Sequence, residues 1–403
     1  MNVLKRLYSR INHMNPKQVN LSILEFIFWA TMAAYYPFVV VFLQAKGLSN
    51  TAIGTILSIN SFIIVFAQPF WGMVSDRFRS VKKVFVLCMI FAALVMQLLP
   101  IINSTIIIAL VLVIITIFDS PLSPLMDSWV IQEIRNEQDL SYGNIRLWGS
   151  LGYSIFAYFF GLLVNKFSIN YNFIIFAVMT VLIILLTRNI KDEASASAIN
   201  LKDMKIGKLL RNYSYITFLI FSIVIYVPHK ASYSFLPNLL VSVGASPGTQ
   251  GIASAVMAFS EIPLFLMSYK LLKRYKPIHL ILISSLFFLL RQIAYLTATS
   301  PEQVILAQLL HGPSFALFLN GAVYYIDSLA PDELKSTAQT LATSLYGGVS
   351  GILANYGGGW VIDNLGIKRL YSMGIYAIVL VTLLFVASLA VQKFLYVKNT
   401  RSM

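Results

Sequence analysis

The sequence predicts an all-α membrane protein: twelve transmembrane helices in two pseudo-symmetric six-helix halves. Three observations carry this. The 403 residues are 58% hydrophobic and 11% charged, with a mean hydropathy of +0.76, whereas soluble chains carry about 25% charged residues. Apolar stretches of about 20 residues, enough to cross a bilayer as helices, recur along the whole chain. One long polar break divides them six and six.

The spans fall near 20–44, 50–73, 84–102, 105–131, 142–164 and 170–188, then near 213–241, 249–270, 278–298, 303–328, 336–362 and 370–396. The first is too long for a cleaved signal peptide and has no small-residue cleavage site behind it, so it reads as a retained helix. The third holds the lone cysteine, Cys88, which excludes an internal disulfide. The break, NIKDEASASAINLKDMKIGKLLRN over 189–212, is polar and basic at its end, as a linker would be. The expected organisation is therefore a first half over 1–189, a linker over 190–212 and a second half over 213–403.

The net charge of +14 follows topology, not nucleic acid. With both termini inside, 23 of the 30 Lys and Arg lie in the termini and inside loops, four lie outside (Lys46, Lys166, Lys368, Arg369) and three lie within spans. This is the positive-inside bias, and it predicts a multi-pass cell-membrane protein with cytoplasmic ends. The halves echo one another: Gly152, Ser154 and Gly161 recur as Gly348, Ser350 and Gly357, offset by 196 residues. Small residues at helical spacing let helices approach closely in lipid. Two related halves of this kind are the plan of a secondary transporter, with substrate bound near the midplane between them.

The loop after the second span, GMVSDRFRSVKK, contains Gly72, Asp76 and Arg77 and resembles the cytoplasmic loop motif of the major facilitator superfamily. Gly72 is expected to permit close helix contact, Asp76 to accept hydrogen bonds from a neighbouring helix N-terminus, and the cations to hold the loop at the surface. Arg79 stands where the motif usually has Gly. A closer resemblance runs through AAYYPFVVVFL (33–43, with Tyr36), QPFWGMVSDRF (68–78), SYGNIRLWGSLGY (141–153) and RQIAYLTATSPEQVILAQLLH (291–311). These look like the lactose permease and the oligosaccharide, nucleoside and phenylpropionate proton symporters related to it. The resemblance implies one central cavity and alternating access driven by protons, and leaves the substrate open.

Charges inside spans are functional candidates, because each costs about 2.5–3.5 kcal/mol at a helix centre. The spans contain Glu25, Asp119, Asp127, Glu261, Arg146, Lys230, Arg291, His229 and His311. Arg146 and Asp127 sit at similar depth on adjacent spans, so a pair is expected, with the guanidinium fork left able to meet a ligand oxygen. Tyr153, seven residues on and on the same face, offers an aromatic surface to a sugar or base. The resemblance assigns Arg146, the Asp127 carboxylate and Tyr153 to sugar binding, and Arg291, Glu261 and His311 to handling the proton. It also shows departures: Ser314 and Gln308 stand at the family's glutamate and lysine positions in the tenth span, and Tyr346 at a charge-pair position in the eleventh. Proton coupling must then use another carboxylate, Glu261 first and Asp119 second.

Asp119 beside Pro121 and Pro124, and Lys230 just after Pro228, are not carried by the resemblance. Prolines in spans mark bends around sites, so Asp119 and Lys230 could meet each other, or Lys230 a substrate carboxylate. Glu25 either faces the cavity or snorkels. Asn320, Tyr324, Tyr325 and Asn355 could line the cavity.

The leading expectation is proton-coupled import of a small polar solute, a sugar or glycoside, by a monomer. Nucleosides or small aromatic acids are the alternative substrates. Export of amphipathic compounds fits less well, since such a pocket would be mostly apolar. The sequence offers no nucleotide-binding loop, metal-ligand cluster or catalytic triad, so neither an enzyme nor a cofactor is expected.

Overall fold

In the computed structural model, residues 16–134, 142–188, 190, 207–330 and 335–401 are described, and among them every regular element is helical. They are α1 Pro16–Ala33, α2 Val39–Ala45, α3 Asn50–Phe78, α4 Val81–Met96, α5 Thr105–Asp119, α6 Leu122–Ile134, α7 Tyr142–Lys166 and α8 Tyr171–Thr187. They continue with α9 Gly207–Leu210, α10 Tyr213–Ser234, α11 Leu236–Ser242, α12 Thr249–Arg274, α13 Pro277–Thr297, α14 Pro301–Ala307, α15 Leu317–Leu329, α16 Lys335–Ser344, α17 Ser350–Leu365 and α18 Ile367–Arg401.

Eight stretches, Thr105–Ile134 across the α5–α6 break among them, are long and apolar enough to cross a membrane. Several expected spans are broken instead. The first, near 20–44, splits into α1 and α2 at a turn over 34–38 that contains Pro37, where the missing N–H ends helical bonding. Asp119 and Leu122 flank a break at Ser120–Pro121. The eleventh divides at a π-helical turn, Leu345–Val349, and a second π turn, Gly312–Ala316, directly follows His311. Such bulges change which residues face a neighbour. Helix starts are capped by side chains: Ser80 accepts from the Lys83 N–H at 3.1 Å, and Asn212 from the Ser214 and Tyr215 N–H groups at 3.0 and 3.3 Å.

The packing separates along the chain. One buried cluster, including Phe28, Phe85, Trp129 and Phe176, comes almost wholly from residues up to Ile190, with Phe235, Ala255 and Ala258 added. A second, including Tyr215, Phe288, Phe318 and Phe385, comes from residues after 207. Outward, Phe62, Phe66, Phe70, Ile106 and Leu380 are exposed, an apolar surface that only lipid would cover stably.

Small residues join the two sequence regions. A Cβ on Gly161 would overlap the Gly248 carbonyl, and one on Gly54 the Asn355 carbonyl. Ser154 donates to the Ala255 carbonyl at 2.8 Å and Ser58 to that of Ile352 at 2.9 Å. At the end where α3 begins, Asp363 of α17 accepts from the Asn50 side chain at 2.8 Å, and from the Thr51 N–H and hydroxyl, both at 2.6 Å. One carboxylate thus takes the first two backbone N–H groups of α3, and the Ser49 hydroxyl takes the third. At the opposite end of α3 the expectation for Gly72 is corrected: a Cβ there would meet nothing within 4 Å, so no helix presses on it in this conformation. Arg77 is exposed, and the side chain of Asp76 lies outside the described residues.

Of the repeated small residues, Gly152 abuts the Phe26 carbonyl and Gly348 the Val65 side chain, but Gly357 has open space where Gly161 makes a close contact. Ser154 bonds across to the Ala255 carbonyl, whereas Ser350 bonds back to the Tyr346 carbonyl, so the echo in contacts holds at the first pair alone.

Candidate functional site

The sequence-predicted charges assemble into two clusters facing a region lined by tyrosines. The first is built by α1, α6 and α7. Arg146 lies over the Trp29 ring, 4.3 Å from its centroid, a cation–π contact that orients a guanidinium without consuming its hydrogen-bond fork. Glu25, fully buried at 0% exposure, has both carboxylate oxygens without a hydrogen-bond partner. Gly149 explains how the two approach: a Cβ at that position would sit 2.9 Å from both Arg146 Nη1 and Glu25 Oε2, and against Trp29. The glycine keeps open the space in which Trp29, Arg146 and Glu25 converge.

The expected Arg146–Asp127 pair is not what forms. Asp127 instead accepts from the Tyr142 hydroxyl at 2.7 Å. It remains within electrostatic reach of Arg146, as Glu25 does, and the group packed on the guanidinium is Trp29 of α1. Depth along adjacent helices predicted one partner, and lateral packing of α1 on α7 supplied another.

The second cluster is a linear relay across α10, α13, α12 and the segment at His311. Arg291, 2% exposed, bonds His311 Nδ1 at 2.6 Å through Nη1 and His229 Nδ1 at 2.8 Å through Nη2. His311 Nε2 lies 3.0 Å from Glu261 Oε1. A guanidinium has donors only, so both Nδ1 atoms are acceptors. His311 therefore carries its proton on Nε2 and donates it to Glu261. Ser314, at the family's glutamate position, contributes only a long contact to Arg291 at 3.4 Å and otherwise donates to the His311 carbonyl. Tyr346 packs on Tyr226, with ring centroids 4.8 Å apart, filling with an aromatic the place of a charge pair.

Between the clusters lie Tyr153, Tyr233, Tyr36 and Asp119. The Tyr153 hydroxyl is enclosed without a hydrogen-bond partner and faces the Tyr233 phenol. Tyr153 also packs edge-on to Trp29, with centroids 6.2 Å apart. Glu261 acts on both tyrosines, so the relay ends beside the tyrosines that adjoin the Arg146 cluster. Tyr36 faces Asp119, whose Oδ1 has no partner. Asp119 and Lys230 form no ion pair.

Sequence reasoning missed Trp29, Gly149, Tyr142 and Tyr233 as site residues. Tyr233 had a legible signal, since it stands one helical turn after Lys230 on the same face. Behind Arg291 and His311 lies a cavity of about 10 Å³, room for a single water, lined also by Tyr295, Gln308 and Gln250. Gln250 also lines a crevice of about 440 Å³ between α2, α11 and the C-terminal end of α7, with Gln44, Phe167 and Asn238.

An all-helical chain with two polar clusters beside an aromatic lining fits the plan of a solute transporter, and its homologues are transporters rather than enzymes. The chain belongs to the MFS_1 like family, whose model matches residues 18–398. It is 26% identical to a maltose permease of Geobacillus stearothermophilus over 86% of this chain and 88% of that one. It is 22% identical to the sucrose permease of Escherichia coli over 90% of each. The crystal structure of the nucleoside transporter NupG shares its fold, with a TM-score of 0.80 at 18% identity, covering 93% of this chain and 99% of that one. The lactose-permease-group resemblance seen in the sequence is thereby shown.

Proposed function

We propose that this protein imports a saccharide or glycoside together with protons, by alternating access of two six-helix halves, 1–189 and 213–403, joined by the 190–212 linker. Twelve spans, a cell-membrane location, cytoplasmic termini and a monomeric unit complete the reading. The separate hydrophobic clusters support the two halves, and the charge bias supports the orientation.

The observation that carries the proposal is the relay His229–Arg291–His311–Glu261 ending at the tyrosine lining. A proton added to Glu261 removes the charge that His311 Nε2–H serves. A proton added to His311 Nδ1 breaks its bond to Arg291, because two donors would then face each other. The relay thus has distinct hydrogen-bond states for distinct proton occupancy. Substrate hydroxyls are taken by the free donors of Arg146 and the unfilled oxygens of Glu25, while Trp29 and Tyr153 cover an apolar face. Tyr233 and Tyr153 are the physical link by which occupancy of one cluster is felt at the other.

We read this conformation as closed at the outer end and open at the inner end. Asp363 and the Gly161–Gly248 and Gly54–Asn355 approaches hold the outer end, whereas Gly72 at the inner end is uncontacted. Closing the inner end would bring a helix onto Gly72, as the loop motif implies. The test is uptake of labelled maltose, sucrose, lactose and nucleosides into proteoliposomes with and without an inward proton gradient. Gradient-stimulated accumulation of a sugar supports the reading, and accumulation of nucleosides alone contradicts it.

A further inference from the structure

Resting on that reading, we infer that the substrate is an acid: a saccharide or glycoside bearing one carboxylate, which Lys230 binds. Lys230 makes no hydrogen bond or ion pair among the described residues. The span carboxylates are otherwise placed. Glu261 meets His311, Asp127 meets Tyr142, Asp119 faces Tyr36, and Glu25 faces Arg146 across Gly149.

Its position makes it a cavity residue. His229 turns to Arg291 and is buried, but Lys230, the next residue, is partly accessible. It belongs to a stripe of accessible residues along α10, Val227, Lys230, Tyr233 and Ser234. Tyr233 on this stripe is 40% exposed and yet faces Tyr153 of α7. The accessible space is therefore internal, between the two sequence regions, and not lipid. A side chain one turn away lines the same space.

An ammonium in such a place without a counter-charge is costly, and a ligand that brings the charge recovers that cost. A single ammonium is a point charge, unlike the bidentate fork of arginine. It matches one monovalent carboxylate, while the hydroxyls of the same ligand fall to Arg146 and Glu25. Pro228, two residues earlier inside the continuous helix α10, removes one backbone donor from that helix.

Calorimetric binding to the full chain in nanodiscs tests this with matched pairs: maltose against maltobionate, and methyl β-glucoside against methyl β-glucuronide. The acid of at least one pair should bind tenfold or more tightly than its neutral partner. Lys230→Gln should abolish that preference and Lys230→Arg should keep it. Neutral partners binding the wild type as tightly as the acids would overturn the inference even if Lys230→Gln fails to fold. An acid preference that survives in Lys230→Gln overturns it too. Uptake of a neutral sugar with its acid excluded sinks this inference alone, whereas binding of neither member of any pair sinks the sugar reading as well.

Discussion

Arg291 and His311 are joined at 2.6 Å through a ring nitrogen that can only accept, and this fixes the state of the whole relay. The proton of His311 is directed at Glu261, whose side chain is the more accessible end at 16% against 6% for His311. On the proposed reading, the proton enters and leaves at Glu261, with Arg291 behind it.

Replacing Arg291 by Lys should uncouple transport. One ammonium cannot span His311 and His229 in the planar geometry the guanidinium provides. Proton-driven accumulation should fall at least tenfold while gradient-free exchange of substrate persists, measured side by side in proteoliposomes. Loss of both together would show that Arg291 only holds the fold.

Gly149→Ala should weaken substrate binding by tenfold or more, because its methyl group would occupy the space shared by Trp29, Arg146 and Glu25. Gly72→Ala meets open space in this conformation, so it should leave thermal stability unchanged. Melting temperatures and binding isotherms of the two variants should therefore separate.

Arg146→Lys should lose about 1.5–3 kcal/mol of binding, the range for hydrogen bonds to charged groups. The ammonium keeps the charge but not the fork or the flat contact with Trp29. Trp29→Phe, which retains an aromatic face, should cost less. Equilibrium binding constants for the two variants decide the order.

Asp363 gives the pH dependence of the α3–α17 contact. Burial pushes its carboxyl up, but hydrogen bonds from Thr51 and Asn50 outweigh that and hold it below the ordinary value. A depressed carboxylate contributes stability that is present above about pH 4, the unperturbed range, and is lost as pH falls through its folded value. The outer contact should be intact at pH 7 and loosen only in strong acid. Asp363→Asn should shift the population severalfold toward the outward-open form at neutral pH, read by spin-label distances across the outer ends of α3 and α17.

Much of this was legible beforehand. Apolar length located the helices, and the charges within spans flagged Arg146, Glu261, Arg291 and His311, all of which join a cluster. The partners were not legible. Asp127 matched Arg146 in depth, but a sequence carries no record of lateral packing, and α1 brought Trp29 and Glu25 to that arginine instead. Gly149 is invisible as a site residue until Glu25 and Arg146 are seen on either side of it. Gly72 was expected at a close helix contact, and a Cβ there would meet nothing within 4 Å. His229 looked like a neighbour of Lys230, and the helix turns the two side chains to different tasks.

The most direct test of the account is substrate-driven alkalinisation in de-energised cells making the wild type or Glu261→Gln. A pulse of transported sugar should raise external pH with the wild type. It should leave pH unchanged with Glu261→Gln, although labelled sugar still equilibrates. An equal pH rise in both would contradict the relay as the proton path, and no pH rise in either, with sugar still moving, would make the protein a facilitator.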